Sequence, residues 1–307
     1  MATGHLISRV TILGTGLIGG SFALALRKYT TGMHISGWDR SETVREAQSR
    51  GAVDEAFCAD LAPALQNADL IYLALPIAAT IDLLPEIARH TPFRALVTDA
   101  CSTKVRIAQA AAELFPGESG PLFLGGHPMA GRELPGIAHA DADLFRENAY
   151  ALIAESTETV VAGGKAPSVE EPDATHDPRI SAFVKILEKI GARPLWLGAP
   201  QHDHAVGLAS HLPQLAAVAL ASFLYDRLDE NGLPITLAGP GLRDSLRLAG
   251  SPYSTWRDIV LTNQEVLSAA LDLFARRLDE LREKLASREL EGDFDAANEL
   301  YKLLRSL

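Results

Sequence analysis

Short apolar runs alternate with helical patterns over the first 198 residues of the chain. The run 69–75 is apolar almost throughout, as expected of a parallel strand that is covered on both faces of its sheet. Regular alternation of strands and helices predicts a mostly parallel sheet with helices on both sides. The predicted strands are 9–13, 34–38, 69–75, 95–98, 122–125, 149–154 and 193–197, and the predicted helices are 17–28, 42–50, 77–89, 103–114 and 180–190.

The pattern then changes twice. Residues 156–178 are rich in Gly, Pro, Glu and Asp and have no apolar period, which predicts an exposed loop. After residue 198 the sequence favours helices alone, with Gly292 as the breaker before the last one; these helices are 205–225, 255–287 and 294–307. The sequence therefore predicts an α/β Rossmann domain, doubly wound around a mostly parallel sheet, at 1–198, followed by an all-α domain at 199–307.

The predicted helix 205–225 is apolar around nearly its whole circumference. Such a helix must be buried on all sides. A helical domain of about one hundred residues buries it most simply against a second copy, so we expect a homodimer formed through the helical domain. The alternative is that this helix is the core of a monomeric bundle.

The net charge of −11 argues against nucleic acid or an anionic membrane as a partner. An anionic small substrate would need a local cluster of arginines or histidines. The two cysteines, Cys58 and Cys101, suggest neither a disulfide framework nor a metal site. Without a signal sequence or an uninterrupted apolar stretch of membrane-spanning length, the chain is expected to be cytoplasmic.

A glycine-rich segment follows the first predicted strand and opens the first predicted helix. It provides a tight turn, a close approach of backbone to a pyrophosphate, and N–H groups at the helix start. Asp39 lies at the end of the second strand, where a carboxylate accepts hydrogen bonds from ribose hydroxyls and repels a 2′-phosphate. This favours NAD over NADP, although the neighbouring Arg40 weakens the preference. The predicted cofactor residues are Gly14, Thr15, Gly16, Leu17, Ile18, Gly19, Asp39 and Arg40.

Three further segments concentrate polar residues. The motif D-x-x-S-T-K at 99–104 and the motif GGHPMAG at 125–131 both follow predicted strands, and SHLP occupies 210–213. Together with GTGLIGGS and with LRDSLRLA at 242–249, which Trp256 follows, they resemble the prephenate/arogenate dehydrogenase family in order and spacing. The resemblance covers nearly the whole chain.

The resemblance implies oxidative decarboxylation of prephenate to 4-hydroxyphenylpyruvate with NAD, as in tyrosine biosynthesis. It implies that His127 is the catalytic base and that Ser102 hydrogen-bonds that histidine and the substrate hydroxyl. It also implies that Arg247 binds a substrate carboxylate and that His211 contacts the substrate. Arg132, directly after GGHPMAG, is a departure from the family pattern and a further candidate for a substrate carboxylate.

Simpler roles are open for several of these residues. Ser102 also suits the N-cap of the helix predicted to begin at residue 103. His211 lies in an apolar helical pattern and suits a core histidine. Arg243 and Arg247 are one helical turn apart, so either suits a surface ion pair.

His202 and His204 suggest a metal site at first sight. Their i,i+2 spacing puts them on different helix faces, and no catalytic glutamate motif accompanies them. We therefore expect no metal.

Other functions are compatible with parts of the pattern. An arogenate or dual-specificity (cyclohexadienyl) dehydrogenase would use the same chemistry on a substrate with an amino-acid tail. A non-catalytic NAD-binding module would need no base, and a 3-hydroxyacid-type dehydrogenase would not need GGHPMAG.

Overall fold

The computed structural model describes residues 7–117, 120–132, 134–154, 177–228 and 232–306. They form two compact units, residues 1–206 with 250–263 and residues 207–249 with 264–307, each taken within the described ranges. The predicted domain boundary at 198/199 stays a prediction. All but the last two residues of the predicted loop 156–178 lie outside the described residues, and those two begin a helix with Asp177 as its N-cap.

The first unit is a sheet covered by helices. Its strands are β1 (Arg9–Leu13), β2 (His34–Trp38), β3 (Glu55–Phe57), β4 (Leu70–Leu73), β5 (Leu96–Asp99), β6 (Leu122–Pro128), β7 (Ala149–Ile153) and β8 (Arg193–Leu197). Its helices are α1 (Leu17–Tyr29), α2 (Ser41–Ser49), α3 (Ala62–Leu65), α4 (Ile77–His90), α5 (Val105–Ala112), α6 (Pro178–Lys189), α7 (Ala199–Val206) and, from the later segment of the chain, α11 (Tyr253–Thr262).

The strand order is β3-β2-β1-β4-β5-β6-β7-β8, and the pairs are parallel except β6 with β7. The predicted doubly wound, mostly parallel sheet is confirmed. The order reverses between β1 and β4, and ligands of such sheets bind outside the carboxyl ends of the strands at this point.

Local pattern did not predict every element of this unit. The three-residue edge strand β3 and the short helix α3 were not predicted. Helix α5 begins at Val105 and not at residue 103. Strand β6 continues to Pro128, so His127 lies within a strand and not in the loop after it.

The core below the β1–β4 junction is aromatic. The Phe22 ring of α1 stacks on the Tyr72 ring of β4 with 4.0 Å between centroids. The Tyr150 hydroxyl of β7 donates to the Tyr72 hydroxyl at 3.1 Å, which satisfies two polar groups that are otherwise fully buried. These contacts fix α1, and with it the glycine-rich turn, on the sheet.

Asp258 of α11 accepts a hydrogen bond from the Ala78 N–H in the first turn of α4, at 3.1 Å. Burial works against ionisation of this carboxyl, but the Ala78 N–H and the Arg257 guanidinium hold its pKa below its ordinary value. We expect Asp258→Ala to lower the free energy of unfolding by about 1–3 kcal/mol at pH 7. Because the folded-state pKa is depressed, this loss is full above the unfolded value near 4 and fades as the pH falls below it.

Urea unfolding at pH 7 and at pH 3 measures this dependence. Arg257→Ala separates the two contributions: because the Arg257 side chain is largely exposed, we expect its loss to destabilise the protein less than Asp258→Ala does. Equal destabilisation by Asp258→Ala at both pH values would contradict the assignment.

The second unit is helical, which confirms the prediction for this part of the chain. It contains a π-helical segment (Gly207–His211) and the helices α8 (Leu212–Tyr225), α9 (Leu233–Thr236), α10 (Pro240–Leu246), α12 (Gln264–Lys284) and α13 (Glu291–Arg305), with a 3₁₀ turn at Arg247–Gly250.

Two predictions in this region were wrong. The single helix predicted at 255–287 is interrupted at Asn263, between α11 and α12. Gly292 does not separate two helices, because it is the second residue of α13. The helix predicted at 205–225 is continued toward its N-terminus by α7, through the π-helical segment.

Among the described residues, one helical stretch, Ala199–Tyr225, is long and apolar enough by length and composition to cross a membrane. This finding qualifies the expectation that no uninterrupted apolar stretch of the sequence reaches membrane-spanning length. The stretch is interrupted by polar residues such as Asp203, His211 and Gln214, each of which is nearly fully buried within the protein.

Candidate active site

The glycine-rich turn lies between β1 and α1, next to the end of β4. Gly14 has φ +92°, and a Cβ there would overlap the Ala74 carbonyl oxygen. A Cβ at Gly19 would overlap the Gly14 carbonyl, so this glycine allows α1 to begin close against the turn. A Cβ at Gly16, by contrast, would meet no atom of the surrounding protein within 4 Å. The turn thus presents open backbone at the N-terminus of α1, which fits a pyrophosphate.

Asp39 at the end of β2 is tied to this turn. Its Oδ2 accepts the Thr15 N–H at 2.7 Å, and its Oδ1 accepts the Arg40 N–H at 2.7 Å. Asp39 Oδ2 also accepts the Thr15 hydroxyl at 3.3 Å, whereas Oδ1 keeps a further lone pair for a ribose hydroxyl. The Arg40 side chain is exposed. The residues present therefore fit an adenine dinucleotide with an unmodified ribose.

A buried ion pair holds the ends of β5 and β6 together. The Lys104 ammonium contacts the Asp99 carboxylate and donates to the Gly126 carbonyl at 2.6 Å. Asp99 Oδ1 accepts the Gly126 N–H at 3.1 Å. Asp99 and Lys104 are at most 1% exposed, and a Cβ at Gly126 would be 2.7 Å from the Asp99 carbonyl oxygen. The D-x-x-S-T-K and GGHP motifs therefore form one rigid corner.

His127 lies directly after that corner. Strand β6 pairs with β5 over Leu122–Leu124 and with β7 from Gly125 to Pro128, so His127 lies beyond the point where β5 ends. Its side chain is half-buried at the carboxyl edge of the sheet, the edge that also carries the glycine-rich turn.

A chain of hydrogen bonds extends from His127 to α7. His127 Nδ1 is 2.9 Å from His202 Nε2, and His202 Nδ1 is 2.8 Å from Asp203 Oδ1. Asp203 also accepts the backbone N–H groups of Lys104 and Val105, at 2.7 and 2.9 Å. His202 and Asp203 are 1% and 2% exposed.

Sequence reasoning missed the pair His202–Asp203 as part of the site, because the sequence suggests His202 only as a metal ligand beside His204. The structure places His202 inside and His204 on the surface, which agrees with the different faces inferred from their spacing. One signal in the sequence could have indicated the pair: His202 and Asp203 are adjacent ionisable residues at the start of an otherwise apolar helical stretch.

The structure corrects one expectation about Ser102. It is not the N-cap of α5, because that helix begins later and Asp203 accepts its first N–H groups. The predicted contact of Ser102 with His127 stays a prediction, and His127 Nδ1 faces His202. Ser102 lies half-exposed in the turn between β5 and α5, at the same edge as His127.

Arg132 is exposed and forms an ion pair with the Asp141 carboxylate. The Asp141 N–H in turn donates to the Ser21 hydroxyl of α1, at 2.9 Å. The structure thus attaches Arg132 to the segment packed on α1. Its role toward a substrate stays a prediction.

His211 and Arg247 belong to the second unit. His211 is 2% exposed and ends the π-helical segment, whereas Arg247 is exposed at the start of the 3₁₀ turn. The Gln214 amide of α8 donates to the Leu248 carbonyl at 2.9 Å. This bond joins the SHLP segment to the turn that carries Arg247.

Comparison with known proteins gives a consistent result. Residues 22–161 match the family model described as the nucleotide-binding domain of prephenate dehydrogenase, and residues 198–305 match its dimerization domain. The prephenate dehydrogenase of Lactococcus lactis is 34% identical over 93% of this chain and 73% of the relative. The cyclohexadienyl dehydrogenase of Zymomonas mobilis is 30% identical over 93% of this chain and 90% of the relative.

Among solved structures, the prephenate dehydrogenase of Aquifex aeolicus in complex with hydroxyphenyl propionate and NAD⁺ superimposes with a TM-score of 0.82. It is 26% identical in sequence, and the match covers 98% of each chain.

Proposed function

Since the chain belongs to the prephenate dehydrogenase family, we propose that it oxidises and decarboxylates prephenate to 4-hydroxyphenylpyruvate with NAD⁺, a step of tyrosine biosynthesis. The observation that carries the proposal is the position of His127 at the carboxyl edge of the sheet that bears the dinucleotide turn. A base at this edge stands where an open α/β sheet binds its ligands.

The reaction needs four things from the protein. A base takes the proton of the ring hydroxyl, a cation holds a carboxylate, the dinucleotide is positioned, and water is kept away. Bound NAD⁺ supplies the hydride acceptor. The hydroxyl-bearing carbon becomes a carbonyl, CO₂ leaves, and the ring becomes aromatic as a phenol.

Among the chain's own residues, His127 accepts the hydroxyl proton in this proposal. Ser102 is proposed as a hydrogen-bond partner of the substrate hydroxyl. Arg247 is proposed to bind a substrate carboxylate through its two parallel N–H groups. His211 and Arg132 are proposed as further substrate contacts.

The proposed cofactor is held by residues 14–19 and by Asp39, with Arg40 beside it. We expect Asp39→Asn to reduce the preference for NAD⁺ over NADP⁺ by about tenfold, because the neutral amide accepts a hydrogen bond that is weaker by about 1 kcal/mol and no longer repels a 2′-phosphate. The ratio of kcat/KM for the two cofactors measures this. An unchanged ratio would show that Asp39 serves only its bond to Thr15.

Turnover of the wild-type enzyme on prephenate and on arogenate, each with NAD⁺ and NADP⁺, tests the function. We expect the highest kcat/KM for prephenate with NAD⁺. Comparable turnover of arogenate would instead support a dual-specificity enzyme, which the likeness to the Zymomonas relative favours. Absence of turnover on both substrates would refute the dehydrogenase proposal.

We also propose a homodimer formed through the helical part of the chain, in the cytoplasm. The match to a dimerization domain and the many exposed apolar side chains of α8, α12 and α13, such as Phe223, Leu273 and Leu304, support it. Sedimentation equilibrium at micromolar concentration distinguishes a dimer from a monomeric bundle.

A further inference from the structure

His202 and Asp203 extend the candidate site by two buried groups. The order is carboxylate, imidazole, imidazole, with 2.8 Å between Asp203 Oδ1 and His202 Nδ1 and 2.9 Å between His202 Nε2 and His127 Nδ1. The carboxylate is anchored by the N–H groups of Lys104 and Val105 at the start of α5. The Asn263 amide donates to the Asp203 backbone carbonyl at 2.8 Å, which fixes that residue from a third side.

The proton positions follow from the acceptor at the end of this chain. An ionised carboxylate only accepts, so His202 Nδ1 carries a proton and donates it to Asp203. In a neutral His202 the lone pair is then on Nε2, and His127 Nδ1–H donates to it. The remaining lone pair of His127 is therefore on Nε2, the nitrogen that would take a proton from a substrate.

We propose that His202 and Asp203 are positioning residues that hold His127 as the Nδ1–H tautomer and stabilise the cation formed when its Nε2 is protonated. This inference rests on the proposed function of His127 as the base. In a catalytic triad, a carboxylate accepts the Nδ1 proton of the catalytic histidine and fixes its tautomer. Here a second imidazole lies between the carboxylate and the catalytic histidine. Neither residue touches the substrate in this scheme.

Lys104 and Asp99 lie close to His127 and form their own buried ion pair at the Gly126 peptide. Ala151 of strand β7 lies opposite His127 and carries no charge. Asp203 is the negatively charged group that is linked to His127 through the His202 imidazole.

The kinetic test compares Asp203→Asn and His202→Phe with the exposed neighbour variant His204→Asn. We expect Asp203→Asn and His202→Phe each to lower kcat at least about tenfold, while the KM for prephenate stays within about twofold of the wild-type value. The acid limb of kcat/KM should move to lower pH, because the imidazolium of His127 loses its counter-ion. His204→Asn should match the wild type in kcat, KM and pH profile.

A merely structural role predicts a different result. It would lower the melting temperature and the active fraction, without moving the acid limb. An unchanged kcat and pH profile in folded Asp203→Asn would likewise overturn the proposal.

A measurement on the wild-type protein does not depend on its activity. Two-bond ¹⁵N–¹H correlation on histidine-labelled protein at pH 8 reports the tautomer of each ring, with His127 and His202 assigned from His127→Asn and His202→Phe. We expect protons on Nδ1 of both. A His127 ring protonated on Nε2 would overturn the proposal even if the enzyme is active, and the expected tautomer in an inactive protein would refute only the proposed function.

Discussion

Replacing His127 with asparagine is expected to lower kcat by roughly 10²–10⁴-fold while the affinity for NAD⁺ stays unchanged. Asparagine retains a donor near the position of Nδ1 and keeps the hydrogen bond toward His202. It has no group that takes a proton near neutral pH, so the substrate hydroxyl loses its base. The glycine-rich turn is formed by other residues and is not altered.

Steady-state kinetics with prephenate and fluorescence titration of the cofactor measure the two quantities. His204→Asn is the matched control, since it makes the same change on an exposed histidine. If His127→Asn turned over at the wild-type rate, the proton would be accepted elsewhere and the proposed mechanism would fail. Loss of cofactor affinity together with kcat would indicate instead that the corner formed by Asp99, Lys104 and Gly126 had moved.

The cofactor-binding half of the site was largely predictable from the sequence. The turn from β1 to α1, with Asp39 following β2, depends on contacts between residues close in sequence and on a fixed supersecondary unit. The motif itself predicts why a glycine is needed at Gly14, Gly16 and Gly19: each position serves a different feature of the backbone. The alternating apolar runs likewise predict most strands of a buried parallel sheet.

The environment of His127 was not predictable in the same way. Strand β6 changes partner from β5 to the antiparallel β7 at Gly125, and no local pattern marks this change. His202 is 75 residues from His127 in sequence, so their contact depends on where α7 packs. The short edge strand β3 and the interruption at Asn263 are also set by tertiary contacts and not by periodicity.

Replacing Arg247 with alanine is expected to raise the KM for prephenate by roughly tenfold, with a smaller effect on kcat. A hydrogen bond between charged groups contributes about 1.5–3 kcal/mol, and an exposed arginine falls at the lower end of that range. The carboxylate that Arg247 is proposed to bind does not react at the ring hydroxyl, so its contact stabilises the bound substrate and the transition state about equally.

Two variants make this result specific. Arg243→Ala removes an exposed arginine one turn earlier on α10 and should leave the KM unchanged. Arg247→Lys keeps the charge but loses the planar fork, so its KM should lie between those of the wild type and Arg247→Ala. A raised KM in Arg243→Ala, with a normal one in Arg247→Ala, would transfer the carboxylate site to Arg243. Normal values in both would leave Arg132 as the candidate and would place the substrate's carboxylate near the segment packed on α1, because the ion pair of Arg132 with Asp141 holds it there.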